Sequence, residues 1–298
     1  MDSITLTRDE LYVFLALLGL RTVSGLPQNL AAGLADEEAE IRFNCGELTL
    51  YERGLLTYAE EQRPVPHDLL IALVGTAALP QTTLLLQQTK PREPHGRSTA
   101  HFFSRRPGLL VEHSAPRPGL YQFQFVAGDA FADRVRALTA SLPTWGAAAA
   151  SEGKTCWSVS AGSMADFLNR SGSGDTAGAA AALVQGGLPQ PVARDMAASL
   201  RTHPHWIAAG GRQLNGAVAE AGTVAGTAAR TVAGSTALII AGEGGCRLVH
   251  SETGSGEQVQ VHSLSGQECQ EWLLAFAAGL IEDSEQEGED AQLAAELE

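Results

Sequence analysis

"LLVEHSAPRPGLYQFQF", residues 109–125, reads as a β-hairpin, and "RLVHSETGSGEQVQVHS", residues 247–263, repeats the arrangement near the other end of the chain. In the first, Tyr121, Phe123 and Phe125 alternate with Gln122 and Gln124, the period of a strand with one face in the core and one in water. "APRPG" supplies its turn and "TGSG" the turn of the second. A shift of 138 residues places Leu110 and Val111 on Leu248 and Val249, Tyr121 and Phe123 on Val259 and Val261, and Leu138 on Phe276. Each hairpin runs into a helix. The first is "DAFADRVRALTASL", capped by Asp129 with Phe131, Val135 and Leu138 as its apolar face; the second is "GQECQEWLLAFAAGL". Hairpin-then-helix is also a common unit that recurs without kinship.

Working outward, "QTTLLLQQT", "TAHFFSRR" and "TALIIAGE" add further short strands bounded by Pro and Gly. Before Pro80 the period is helical. Thr7 and Glu10 form a capping box ahead of Leu11, Phe14, Leu15 and Leu18. A second helix is expected in "LPQNLAAGLADEEAEI", a third in "GELTLYERGLLTYAEEQ" with Leu48, Tyr51, Leu55 and Tyr58 on one face, and a buried fourth in "HDLLIALVGTAALP". The fold class is therefore α+β: two related halves with antiparallel sheet and flanking helices in a pseudo-two-fold arrangement. The first half spans residues 1–145, with helices over 7–80 and strands plus closing helix over 81–142. The second spans 146–281, and an acidic disordered tail follows over 282–298. "WGAAAASEG", "RSGSGDTAGAAAALVQGG" and "NGAVAEAGTVAGTAARTVAGS" are expected to be mobile, because each Gly costs a helix about 1 kcal/mol relative to Ala.

Charge excludes one class of function. The chain carries a formal −14, of which eight acidic residues lie between Glu282 and Glu298, leaving 26 acidic against 20 basic elsewhere. No concentrated basic surface is available for nucleic acid. No run of 18 apolar residues argues for membrane insertion, and the opening apolar stretch follows Asp2, Arg8, Asp9 and Glu10, so a cytoplasmic location is expected. Basic residues are 18 Arg and two Lys, which with the Ala and Gly load marks a GC-rich bacterial genome. Cys45, Cys156, Cys246 and Cys269 have neither zinc-ligand nor disulfide-framework spacing, so neither metal nor cofactor is expected.

Catalytic motifs fail in turn. "EGKT" (152–155) ends like a phosphate-binding loop, but Ala148 stands where its first Gly belongs. Ser151 and Lys154 have S-x-x-K spacing without the accompanying elements. His203 and His205 in "THPHW" lack a nearby carboxylate or thiol, so that stretch reads as a loop with one packed Trp206. His101, His113, His250 and His262 all fall in expected strands, where the fold could join some of them. What remains is a surface: in "FFSRRPG", Arg105 and Arg106 follow Phe102 and Phe103, the aromatic-plus-arginine composition of interaction hot spots, unless a Phe is core and the arginines are merely solvated. Phe102, Arg105, Arg106 and Trp206 are the expected partner-binding residues.

"LTRDELYVFLALLGL", the block ending "LLVEHSAPRPGLYQFQF", and "RLVHSETGSGEQVQVHSLSGQECQEWLLAF" together resemble, by order of features, the EspG-type chaperones of type VII (ESX) secretion in actinobacteria. The resemblance implies a quasi-two-fold α+β fold of about this length, a cytosolic location, no enzymatic activity and the binding of helical PE–PPE heterodimers before export. It carries no residue-level binding motif. The expected function is a non-enzymatic cytosolic chaperone or adaptor that shields a helical protein partner such as a secretion substrate. A regulator with an N-terminal winged-helix-like module is the first alternative, although Glu47 and Glu52 suit a groove-entering helix poorly. An enzyme of unknown class is the second.

Overall fold

Thr7 closes a short strand and opens a helix in one step, and the elements that follow build on that corner. The structure is a computed structural model, and it describes residues 3–280 except 21–22, 24, 27–29, 31–34, 60–62, 92–96, 107, 143–155, 213–233, 243–244 and 252–256. In chain order the elements are β1 (Ser3–Thr7), α1 (Arg8–Leu17), α2 (Asp36–Glu52), β2 (Leu56–Tyr58), β3 (Pro64–Pro66), α3 (Asp68–Ala78), β4 (Thr82–Lys90), β5 (Arg97–Arg106), β6 (Leu109–Arg117), β7 (Leu120–Phe125) and α4 (Gly128–Thr139). They continue with β8 (Cys156–Ser160), α5 (Ala161–Gly172), α6 (Thr176–Gln185), α7 (Gln190–Thr202), β9 (His205–Arg212), β10 (Gly234–Gly242), β11 (Gly245–His250), β12 (Gln258–Leu264) and a closing helix α8 over residues 266–280. The class is α+β, with antiparallel pairing at every defined register.

The chain forms two compact units, Met1–Thr83 with His101–Gly128, and Leu84–Ala100 with Asp129–Glu298. In the first unit the strand order is β1-β7-β6-β5. Ile4 and Leu6 of β1 face Phe123 and Tyr121 of β7 and, with Val111, form the sheet side of a core closed by Leu11, Phe14 and Leu15 of α1 and by Leu70, Leu73 and Val74 of α3. Each such fully buried side chain contributes about 2 kcal/mol. The second unit orders its strands β8-β12-β11-β10-β9. Val159, Val261, Val249, Leu238 and Ile240 pack beneath Phe167 of α5, Leu183 of α6 and Met196 of α7.

The succession of a strand, three helices, four strands and a helix occurs twice, from β1 to α4 and from β8 to α8, with β2 and β3 an addition to the first. Within it, β7 lies between β1 and β6 as β12 lies between β8 and β11. Register corrects the sequence alignment of the two hairpins. Val111 pairs with Phe125 and Val249 with Val261, so the second hairpin is two residues shorter and Val261 corresponds to Phe125 rather than Phe123. The first takes up its extra length through an irregularity between Ser114 and Arg117 before the Pro118–Gly119 turn, where Gly119 has φ 75°. The turn "TGSG" falls among residues outside the described set apart from its flanks.

Three local expectations change, and one strand is new. The second and third helices are one helix, α2, beginning at Asp36, and Tyr58 lies beyond it in β2. Gly46 does not end the helix because it is its contact point: a Cβ there would sit 2.6 Å from the Asp9 carbonyl oxygen and 2.9 Å from Val13. Residues 3–7, which carried no expectation, form β1. Within "RSGSGDTAGAAAALVQGG", α6 is ordered, started by Asp175 accepting from the Gly178 N–H at 2.8 Å and buried through Ala179, Ala182 and Leu183. Alanine suits it, since small side chains let α5 and α7 approach closely. The other two Ala- and Gly-rich stretches lie almost wholly outside the described residues, as does "EGKT".

Gly46→Ala should destabilise the protein by about 1–3 kcal/mol through overpacking against Asp9. Gly75→Ala in α3, whose added Cβ would meet only Ile71 at 4.0 Å, should instead stabilise by about 0.5–1 kcal/mol. Urea unfolding midpoints of the two variants check the pair.

Candidate partner-binding surface

Helix α2 has two unlike faces. On the inner one, Gly46 and Leu50 are buried against α1, and Phe43 meets Tyr12 edge-on with ring centroids 6.1 Å apart. Beyond the C-terminus of α2, Arg53 donates to Glu10 Oε1 at 2.6 Å and to the Thr5 carbonyl at 2.9 Å. Glu10, 1% exposed, also completes the α1 capping box by accepting from the Thr7 N–H at 2.7 Å. Three elements thus converge on one carboxylate, and α2 cannot roll about its axis without breaking that junction.

The outer face carries a line of exposed apolar side chains, with Asn44 among them. Ile41 is 57% exposed, Leu48 58% and Tyr51 51%, and Cys45 lies exposed between the first two at helical spacing. Tyr51 extends the stripe to Tyr58 of β2, ring centroids 5.3 Å apart. The Tyr58 hydroxyl donates to Glu47 Oε1 at 3.1 Å, and desolvation together with this hydrogen bond pushes the phenol above its ordinary value. Acidic groups flank the stripe: Asp36, Glu37, Glu38 and Glu40 at its start, Glu47 and Glu52 at its end. Of the cations, Arg42 is paired with Glu38 at 2.9 Å and Asp9 at 3.7 Å, and Arg53 with Glu10. The rim is therefore negative. Sequence periodicity put Leu48, Tyr51, Leu55 and Tyr58 on one face; the structure turns Leu48, Tyr51 and Tyr58 outward and packs Leu55 against the core.

Of the residues expected to bind a partner, Phe102, Arg105 and Arg106 lie in β5 and Trp206 in β9. Phe102 is half-buried, stacked on His113 at 4.9 Å, with its ring over Gly25, whose φ of 74° and missing side chain make room for it. Phe103 points to the opposite side of β5 and is 1% exposed. Arg105 is half-buried and Arg106 exposed at the end of the same strand. Trp206 is not in a loop: it lies in β9 opposite Ile239, 3% exposed, which makes it a core residue of the second unit.

Among polar groups, Glu112 of β6 holds a neighbour on either side, His101 Nδ1 of β5 at 2.7 Å and Gln124 Nε2 of β7 at 2.7 Å, the arrangement of a structural clamp. His205 is half-buried, and desolvation lowers its pKa below the ordinary imidazole value. Cys246 and Cys269 are buried and hydrogen-bonded to each other; that bond, then burial, holds the Cys269 thiol far above its ordinary value. Among the described residues no helix is long and apolar enough to cross a membrane.

No family model matches the chain, and no curated protein does. A solved structure is similar over 94% of this chain and 96% of its own, with a TM-score of 0.60 and 11% sequence identity: the Mycobacterium tuberculosis type VII secretion system chaperone EspG5, in complex with the PE25–PPE41 dimer. At that identity the two share a fold.

Thiol labelling tests the described burial. In the native protein Cys45 should react fastest with an aromatic disulfide reagent and Cys156 more slowly, while Cys246 and Cys269 should react only on unfolding, because buried thiols are closed to the reagent. Peptide mapping of the labelled sites reads the order.

Proposed function

We propose that the protein is a non-enzymatic adaptor or chaperone that binds a protein partner through the outer face of α2 and the adjoining Tyr58. The observation that carries this reading is the stripe of Ile41, Cys45, Leu48 and Tyr51, exposed apolar surface on a helix anchored rigidly from behind. Contiguous apolar surface with a polar rim is how soluble proteins present a binding site. The likeness in fold to a secretion chaperone supports the same class.

The partner is a segment with an apolar face and basic flanks, best met by an amphipathic helix, since a helix presents apolar residues at the spacing that the stripe offers. Lys and Arg on its margins would answer Glu38, Glu40, Glu47 and Glu52, steer the encounter and reject acidic competitors. A second copy of the same surface would set acidic rim against acidic rim in either orientation. Binding would shield the partner's apolar face until a later assembly or export step, in the cytoplasm. Arg105 and Arg106 at the end of β5 are a further contact point in this reading; Phe102 and Trp206 contribute by packing.

The double variant Ile41→Asp/Leu48→Asp should lose the partner while changing stability by no more than about 0.5 kcal/mol, as surface substitutions do. The check is affinity capture from the native host with both forms of the full chain, read by mass spectrometry beside thermal unfolding. The same protein recovered equally by both forms contradicts the reading.

A further inference from the structure

Strands β8, β12 and β11 bring together three side chains that the sequence leaves more than ninety residues apart at the extremes. His262 of β12 is the cross-strand partner of Cys156 in β8, and His250 of β11 lies diagonally across on the same face, since Gln260 and His262 alternate with Val261. The Nε2 atoms of His250 and His262 are 3.1 Å apart, and Cys156 Sγ is 3.7 Å from His262 Nε2. Gln260 Oε1 lies 3.5 Å from the same sulfur. All are half-buried, so the cluster is shielded yet reachable. Trp272 of α8, its ring 5.5 Å from that of His250, covers one side.

Two imidazoles that face each other through the same ring nitrogen share one proton at most, so one ring must donate and the other accept. This spacing is also that of two ligands on one metal ion. With Zn–N of about 2.1 Å and Zn–S of about 2.3 Å, tetrahedral angles place two nitrogens about 3.4 Å apart and a nitrogen and a sulfur about 3.6 Å apart. The observed 3.1 and 3.7 Å lie within a few tenths of an ångström of those values. Nitrogen, nitrogen and sulfur without a carboxylate select zinc over magnesium or calcium.

We propose that Cys156, His262 and His250 form a zinc site on the face of β8, β12 and β11, with Gln260 or water in the fourth position. Among the described residues no three such side chains already surround one point. The two imidazoles are already at ligand spacing, and binding requires Cys156 Sγ, 3.7 Å from His262 Nε2, to turn toward His250 as well. Binding forms the Zn–S and two Zn–N bonds, releases the Cys156 thiol proton to solvent, and moves the proton between the rings to the Nδ1 of its own ring. No oxidant or reductant takes part. Zinc would clamp the edge strand β8 to its neighbours, independently of the α2 surface.

The test is titration of the untagged, chelator-treated full chain with cobalt(II), followed by displacement with zinc. One equivalent of cobalt should produce the visible bands of a tetrahedral ion and a near-ultraviolet thiolate-to-cobalt charge-transfer band. Cys156→Ser should abolish the charge-transfer band, Cys45→Ser should leave it intact, and His250→Ala or His262→Ala should each weaken binding about tenfold or more. Circular dichroism of each variant separates lost ligation from lost folding. Cobalt that remains octahedral with the native chain, or zinc affinity unchanged in a folded Cys156→Ser, overturns the proposal.

Discussion

The junction at Glu10 fixes what this molecule can present. A carboxylate buried without partners is costly, and here it is met by the Thr7 backbone N–H from one side and the Arg53 guanidinium from the other. That single group ties the end of β1, the start of α1 and the end of α2. Gly46 holds the middle of α2 close enough to the Asp9 carbonyl that any side chain would collide. With its inner face committed at both points, α2 has one direction in which to show Ile41, Leu48 and Tyr51, and that direction is solvent. Binding energy spent on such a surface is not lost to ordering the helix, which is the advantage of a preorganised site.

The repeated element order gives corresponding faces of the two hairpins a common plan with different chemistry. Glu112 faces Gln124 across the first, and His250 faces Gln260 across the second, at corresponding register positions. In the first hairpin the carboxylate gathers His101 and Gln124 and is 2% exposed. In the second the pair of imidazoles stands beside a thiol, an arrangement rich in nitrogen and sulfur donors. One scaffold has thus been filled as a structural clamp in one place and as a ligand set in another.

Much of the architecture was legible because it depends on local signals. The capping box at Thr7 and Glu10, the alternation through Tyr121 to Phe125, and the hairpin-then-helix order all appear in the structure. Periodicity, however, gives a helix a face without giving the face a direction. Leu48 and Tyr51 do share one side of α2, and only the tertiary contact at Gly46 shows that it is the outer side. Gly46, at the start of the expected third helix, lies inside α2, where its missing side chain provides closeness to Asp9. The Ala-rich α6 was missed because low intrinsic order says nothing of burial among α5 and α7. Trp206 carried a turn-like neighbourhood, Thr-His-Pro-His, which hid the strand that begins at His205. The nearness of Cys156, His250 and His262 depends on the register of three strands, which no single segment records.

The most direct measurement uses the stripe's own thiol. A photo-activatable crosslinker attached to Cys45, in the intact chain incubated with extract of the native host and then illuminated, reports what lies against α2. Binding at this surface predicts one dominant crosslinked protein, joined through an amphipathic basic-flanked segment, and its absence when the same reagent is carried on Val184→Cys in a Cys45→Ser chain, at an exposed position of α6. A partner captured equally from both positions, or only from α6, would contradict the assignment of α2 as the binding surface.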